Sequence, residues 1–258
     1  PALIAAAALT AAAAVAAFVL IKGGAPESAA VPAPAKASAE STATPEPTPE
    51  PTPEPTPEPT PEPAVILRSG EAGNAVTWQF DSYGVFTVSG SGAMNNYKDT
   101  GYTAPWREFK DEIKKVVIED GVTSVGEYAF ADCTNLEEVT LSDTVTLVGA
   151  RSFSECTSLK GIDIPDAVED IGGAAFYDCG AIEAVTLGDS VRKIRGYAFF
   201  RCAGFDHIEL PVSLVHIEEY AFYGCSALES ILYNGTPNDW MKVTVEDGNY
   251  PFQDTQIG

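Results

Sequence analysis

Phe130-Ala131-Asp132-Cys133-Thr134-Asn135-Leu136-Glu137-Glu138-Val139-Thr140-Leu141 returns 23 residues later as Phe153-Ser154-Glu155-Cys156-Thr157-Ser158-Leu159-Lys160-Gly161-Ile162-Asp163-Ile164. The same step carries the phenylalanine to Phe176, Phe199 and Phe222, and the cysteine to Cys179, Cys202 and Cys225. Four further apolar columns keep it: Leu136, Leu159, Ile182, Phe205, Leu228; Val139, Ile162, Val185, Ile208, Ile231; Leu141, Ile164, Leu187, Leu210, Tyr233; and Val125, Val148, Ile171, Ile194, Ile217. Ile113, Val116, Ile118 and Val122 extend the pattern upstream. Independent columns sharing one fixed period define a repeat architecture.

Within a unit, Val139 and Leu141 alternate with Thr140, so both point inward from one short strand. A second extended piece carries Val145 and Val148, and a turn follows near Gly149. The Ser152-Phe153-x-x-Cys156 step predicts one helical or 3₁₀ turn. A single unit cannot bury its apolar edge, but stacked units share a continuous core. Strands about 4.7 Å apart then line up as a parallel sheet on one face.

Outside the columns lie all three tryptophans, Trp78, Trp106 and Trp240. A solenoid needs its two open ends covered. Asp81-Ser82-Tyr83-Gly84, set between apolar alternations, reads as a hairpin turn in a small β cap.

These residues resemble one family. Ile194-Arg195-Gly196-Tyr197-Ala198-Phe199-Phe200-Arg201-Cys202 and Ile208-Glu209-Leu210-Pro211 are similar to the BspA-like leucine-rich-repeat family of bacterial surface proteins. Thr77-Trp78, Gly84 through Met94, and Ala104-Pro105-Trp106 resemble that family's N-terminal cap. Tyr233-Asn234-Gly235-Thr236, Trp240 and Gly248-Asn249 resemble its C-terminal cap. The expected fold is a leucine-rich-repeat solenoid, a β-rich α/β superhelix of short parallel strands and short helical or 3₁₀ turns. The resemblance implies a cell-surface protein that adheres to host or matrix proteins or to other cells.

The expected organisation is an N-terminal cap over 65–112, repeats over 113–233 and a C-terminal cap over 234–258. Residues 2–21 are uncharged and mostly apolar. At about 1.5 Å per residue such a stretch spans roughly 30 Å, enough to cross a bilayer. It is read as a transmembrane anchor over 1–22; if it is cleaved as a signal segment, the protein is secreted. Neither reading has its positive flank at Pro1, so further sequence is expected upstream. Residues 23–64 form a linker whose Pro-Glu-Pro-Thr run has proline at every second position from Pro45 to Pro63. Proline fixes φ and withholds a donor, so the run is an extended spacer, or stalk.

The formal net charge is −22. Such a surface repels phosphate backbones and anionic headgroups, which argues against nucleic acid and peripheral membrane binding. Five cysteines in five successive units are expected as a buried free-thiol ladder and not as a metal cluster or disulfides. His207 and His216, the two histidines, fall at variable positions and are expected in solvent. No phosphate loop, calcium loop or zinc-protease motif is present in the sequence, and no cofactor or catalysis is expected.

Two surfaces are candidates for binding. The outward sheet positions run Val117, Thr140, Asp163, Thr186, Glu209, Leu232, beside Lys115, Glu138, Gly161, Ala184, His207, Ser230. Of these, Thr140, Asp163, Thr186, His207, Glu209 and Leu232 form the candidate face. The second candidate is aromatic: Tyr177, Phe200 and Tyr223 in one column, Tyr197 and Tyr220 in another. Exposed aromatics anchor interfaces, but they also pack adjacent turns. The function expected is a non-enzymatic, protein-binding adhesion module displayed on a stalk outside a bacterial cell, with a monomeric ectodomain. The alternative is the sensor ectodomain of a longer membrane protein.

Overall fold

The computed structural model describes residues 18–21, 62–101 and 103–249. The linker reading falls outside these residues, apart from its last three positions. Of the apolar N-terminal stretch only β1 (Phe18–Ile21) is described, an extended strand. No helix among the described residues is long and apolar enough to cross a membrane.

The N-terminal cap opens with β2 (Ile66–Gly73), β3 (Val76–Asp81) and β4 (Val85–Gly90), an antiparallel meander. Its turn falls at Ser82–Gly84, where the Asp81 carboxylate accepts from the backbone N–H groups of Tyr83 (2.9 Å) and Val85 (3.0 Å). Trp78, Phe80, Phe86 and Val88 point inward, at alternate positions. A short strand β5 (Gly92–Ala93) and a 3₁₀ helix, η1 (Arg107–Glu112), complete this end. β4 then pairs in parallel with β6 (Lys115–Ile118), so cap and repeats share one sheet.

Each repeat contributes two extended segments. The first set continues as β8 (Glu138–Leu141), β10 (Gly161–Asp163), β12 (Ala184–Thr186), β14 (His207–Leu210) and β16 (Ser230–Tyr233). The second begins with β7 (Val122–Val125) and continues as β9 (Leu147–Val148), β11 (Asp170–Ile171), β13 (Lys193–Ile194), β15 (His216–Ile217) and, past the last repeat, β17 (Thr244–Val245). All pairings in the second set are parallel, in a register offset of 23 residues from Ser124 to His216. That offset is the sequence period made geometric. β16 carries β1 antiparallel along its outer edge.

Phe130, Phe153, Phe176, Phe199 and Phe222 are all fully buried and stack face to face, with ring centroids 5.3–5.6 Å apart. Trp106 closes the spine at its N-terminal end, 5.7 Å from Phe130, and its Nε1 donates to the carbonyl of Ala129 at 2.6 Å. Aromatic burial on this scale dominates core energetics.

The expected helical step turns out to be an alternating turn. Ala129, Ala131 and Cys133 donate to the carbonyls three residues back, as in a 3₁₀ helix. Between them, Tyr128, Phe130 and Asp132 donate instead to Ala150, Ser152 and Ser154 of the next coil. Positive φ at Tyr128 (56°) and Asp132 (58°) rotates those peptides outward, and the same pair recurs at Arg151 and Glu155, Ala174 and Asp178, Tyr197 and Arg201. Non-glycine residues in this region carry a local cost. Here the inter-coil hydrogen bonds offset it, because each frees an N–H to tie two coils together. At Gly172 the coils approach so closely that a Cβ would sit 2.5 Å from the Ala150 nitrogen.

Candidate functional site

The first sheet presents its outward side chains to solvent. Thr140, Asp163, Thr186, His207 and Glu209 are exposed, and Leu232 is half-buried. Register places Val117 beside Thr140, Asp163 beside Thr186, and Glu209 beside Leu232. Beneath them Val139, Ile162, Val185, Ile208 and Ile231 are buried, which holds the strand backbone in place. The sheet-face candidates therefore lie together.

Their edge is strongly acidic. Glu137, Glu183, Asp206 and Glu229 occupy one exposed 23-residue column, broken by Lys160. His207 Nδ1 lies 2.6 Å from Asp206 Oδ1, and that hydrogen bond holds the Asp206 carboxyl below its ordinary range. Lys115 pairs with Glu138 across adjacent strands.

The sheet is not evenly sealed. β6 and β8 form a regular ladder, as do β10 and β12, but no ladder joins β8 to β10, or β12 to β14, among the described residues. Over the first break lies a depression of about 420 Å³ lined by both strands. Lys160 still donates its backbone N–H to Glu137 O at 3.1 Å, so the strands are tied only where they begin. The sequence hints at this place through Gly161 and Ala184, the small members of a column that otherwise holds larger side chains, Ser230 aside. The break itself has no signal in one sequence.

The aromatic candidates also come together, on the turn side of the coil. Tyr177 and Phe200 stack at 4.8 Å with an interplanar angle of 1°, and Phe200 and Tyr223 at 5.3 Å. Tyr197 and Tyr220 stack at 5.2 Å, and Tyr197 contacts Phe200 at 5.5 Å. Arg151 sits 6.0 Å from the Tyr177 ring. The rings thus cover one another's faces and offer mainly edges to solvent, which is packing between coils first and a surface second.

The cysteines are buried free thiols. Burial pushes Cys133, Cys179 and Cys225 up to about 12, and Cys156 and Cys202 well above the usual thiol range. A thiol held protonated this firmly is a poor nucleophile and a poor metal ligand. Among the described residues no three His, Cys, Asp or Glu side chains are grouped to hold a metal ion. His216 departs from expectation. It is not free in solvent but half-buried, beside Thr244 of the C-terminal strand β17, with Nε2 2.6 Å from Oε1 of Glu246, the residue that follows that strand.

Residues 108–229 match BspA type leucine rich repeats in six successive copies, in keeping with the coil period, the strand phasing and the buried Phe and Cys ladders. Leucine-rich-repeat proteins of this type are bacterial surface proteins, commonly protein-binding. No curated protein matches the chain. Among solved structures, a leucine rich repeat protein of T. pallidum is 25% identical, with 62% of this chain and 80% of that one covered at a TM-score of 0.46. A leucine-rich repeat protein from Bacteroides ovatus is 28% identical over 64% of this chain and 53% of its own, at 0.41. One from Eubacterium ventriosum is 18% identical over 65% and 71%, at 0.37.

Proposed function

We propose that this BspA-type solenoid is a non-enzymatic binding module, displayed on a stalk at the outer face of a bacterial cell, that takes a protein partner on its first sheet. One observation carries the reading. The inward positions of that sheet are uniformly apolar and buried, while Thr140, Asp163, Thr186 and Glu209 vary in type and stand in solvent. A rigid scaffold presenting unconstrained side chains is the arrangement binding surfaces use. In this reading the proline-rich spacer supplies the stalk and the apolar 1–22 segment the anchor, with Phe18–Ile21 leaving its pairing on β16 to do so.

A photo-crosslinking amino acid placed at Thr186 in the full chain tests it, against host-matrix and bacterial-surface protein fractions. The expected result is a discrete crosslinked partner at Thr186 and Thr140, and none at Asp178 on the turn side. Crosslinking confined to Tyr197 or Tyr223 would move the interface to the aromatic columns.

A further inference from the structure

We infer that the break between β8 and β10 is a slot for a basic side chain of the partner, with arginine the best fit. This rests on the sheet-face reading above and names the chemistry the face selects. Three observations converge on the slot.

First, the ladder stops there. Between β8 and β10 no ladder pairing is formed among the described residues, so the backbone groups facing each other across this step have no ladder partner, although Val139 and Ile162 are themselves buried. Backbone groups without a ladder partner can bond an incoming side chain. Second, the outward column falls to Gly161 and Ala184 at this point, which opens about 420 Å³ above the strands. A planar guanidinium on its three-carbon stem fits such a recess. Third, the rim is acidic: Glu137 and Asp163 stand against Lys160, and Glu138, which Lys115 pairs, adds a third carboxylate. The whole chain adds a field of the same sign, with a net charge of −22.

Arginine matches this set better than lysine. Its rigid fork donates to a carboxylate and to backbone carbonyls together, and it gives up hydration more readily than an ammonium. An acidic or neutral side chain gains nothing from the rim.

The test is a titration of the ¹⁵N-labelled full chain with the capped tripeptide acetyl-Gly-Arg-Gly-amide, beside the same peptide with neutral citrulline in place of arginine. Expected are saturable shifts at the Gly161, Asp163 and Ala184 amides with the arginine peptide and none with citrulline. Ala184→Met, which fills the recess from an exposed position, and Asp163→Asn should each weaken binding at least about threefold. Asp178→Asn, which removes a charge on the turn side, should leave it unchanged. Equal shifts with citrulline, shifts spread over the acidic surface, or indifference to Ala184→Met would each overturn the slot. If the arginine peptide fails while Thr186 still crosslinks a partner, the slot falls and the binding face stands. If both fail, the face itself is lost.

Discussion

The thiol of Cys179 donates to the carbonyl oxygen of Phe153, in the preceding coil, at 3.1 Å. Cys156 does the same to Phe130, Cys202 to Phe176 and Cys225 to Phe199. The residue that begins each turn is thus tied to the residue that ends the next one. This links the two most regular columns of the sequence. It also explains why a small, weak donor stands at that position in these four units: serine would fit, but it loses the apolar contacts that burial there rewards.

The native thiols should therefore resist labelling by a charged thiol reagent at pH 8 and react together on unfolding. Stability should also fall in alkali. An unfolded thiol ionises near 9.0, whereas burial holds Cys179 protonated up to about 12. Above pH 9 the unfolded state sheds protons that the folded state keeps, so stability present below that pH is lost progressively toward pH 12. Rapid labelling of folded protein, or a flat alkaline profile in urea denaturation, would contradict the ladder.

Phe176 sits at the middle of the stacked spine, with a ring on each side. Truncation to alanine leaves a cavity that rigid neighbouring coils cannot close. Phe176→Ala should cost about 3–5 kcal/mol, read as a lower urea midpoint. A negligible change would mean the ring contributes no packing.

Ser152 is fully buried and its hydroxyl has no hydrogen-bond partner. The equivalent positions in other coils are Ala129, Ala175, Ala198 and Ala221. A buried unsatisfied hydroxyl is a penalty, so Ser152→Ala should leave stability unchanged or raise it by up to about 1 kcal/mol. Thermal unfolding of the two proteins decides it. A clear loss would indicate a partner for the hydroxyl.

Asn249 caps the last coil. Its Oδ1 accepts from the Phe222 N–H at 3.0 Å, and its Nδ2 donates to the carbonyls of Glu218 (2.8 Å) and Glu246 (2.9 Å). Asn249→Asp keeps the shape but removes both donations and buries a charge beside two carbonyl oxygens. Denaturation should show a loss of about 2–4 kcal/mol at neutral pH, partly recovered in acid as the carboxyl is protonated. Equal stability at both pH values would remove the capping role.

Some of this was legible in advance. The Phe, Cys and strand columns are visible as a period because each coil meets only its neighbours, so a residue's environment is settled by its place in the repeat. Thr140, Asp163, Thr186, His207 and Glu209 followed from strand alternation alone. His216 did not, because its partner Glu246 directly follows β17, outside the repeats and 30 residues away. The left-handed residues were hidden too: Tyr128, Arg151, Ala174, Tyr197 and Tyr220 share a conformation but no side-chain type that favours it. Their φ values are set by inter-coil hydrogen bonds, not by local preference.

The 23-residue register and the sorting of Phe, Cys, Val, Leu and Ile into the core were determined by the sequence itself, since hydrophobic periodicity needs no tertiary contact to be counted. Which coils seal against each other, and which leave a break, was decided only in three dimensions. β6 and β8 meet in a full ladder while β8 and β10 do not, although both pairs have the same spacing in sequence. The difference arises from how adjacent coils settle their backbones against one another, a balance of packing and hydrogen bonding that no single column records.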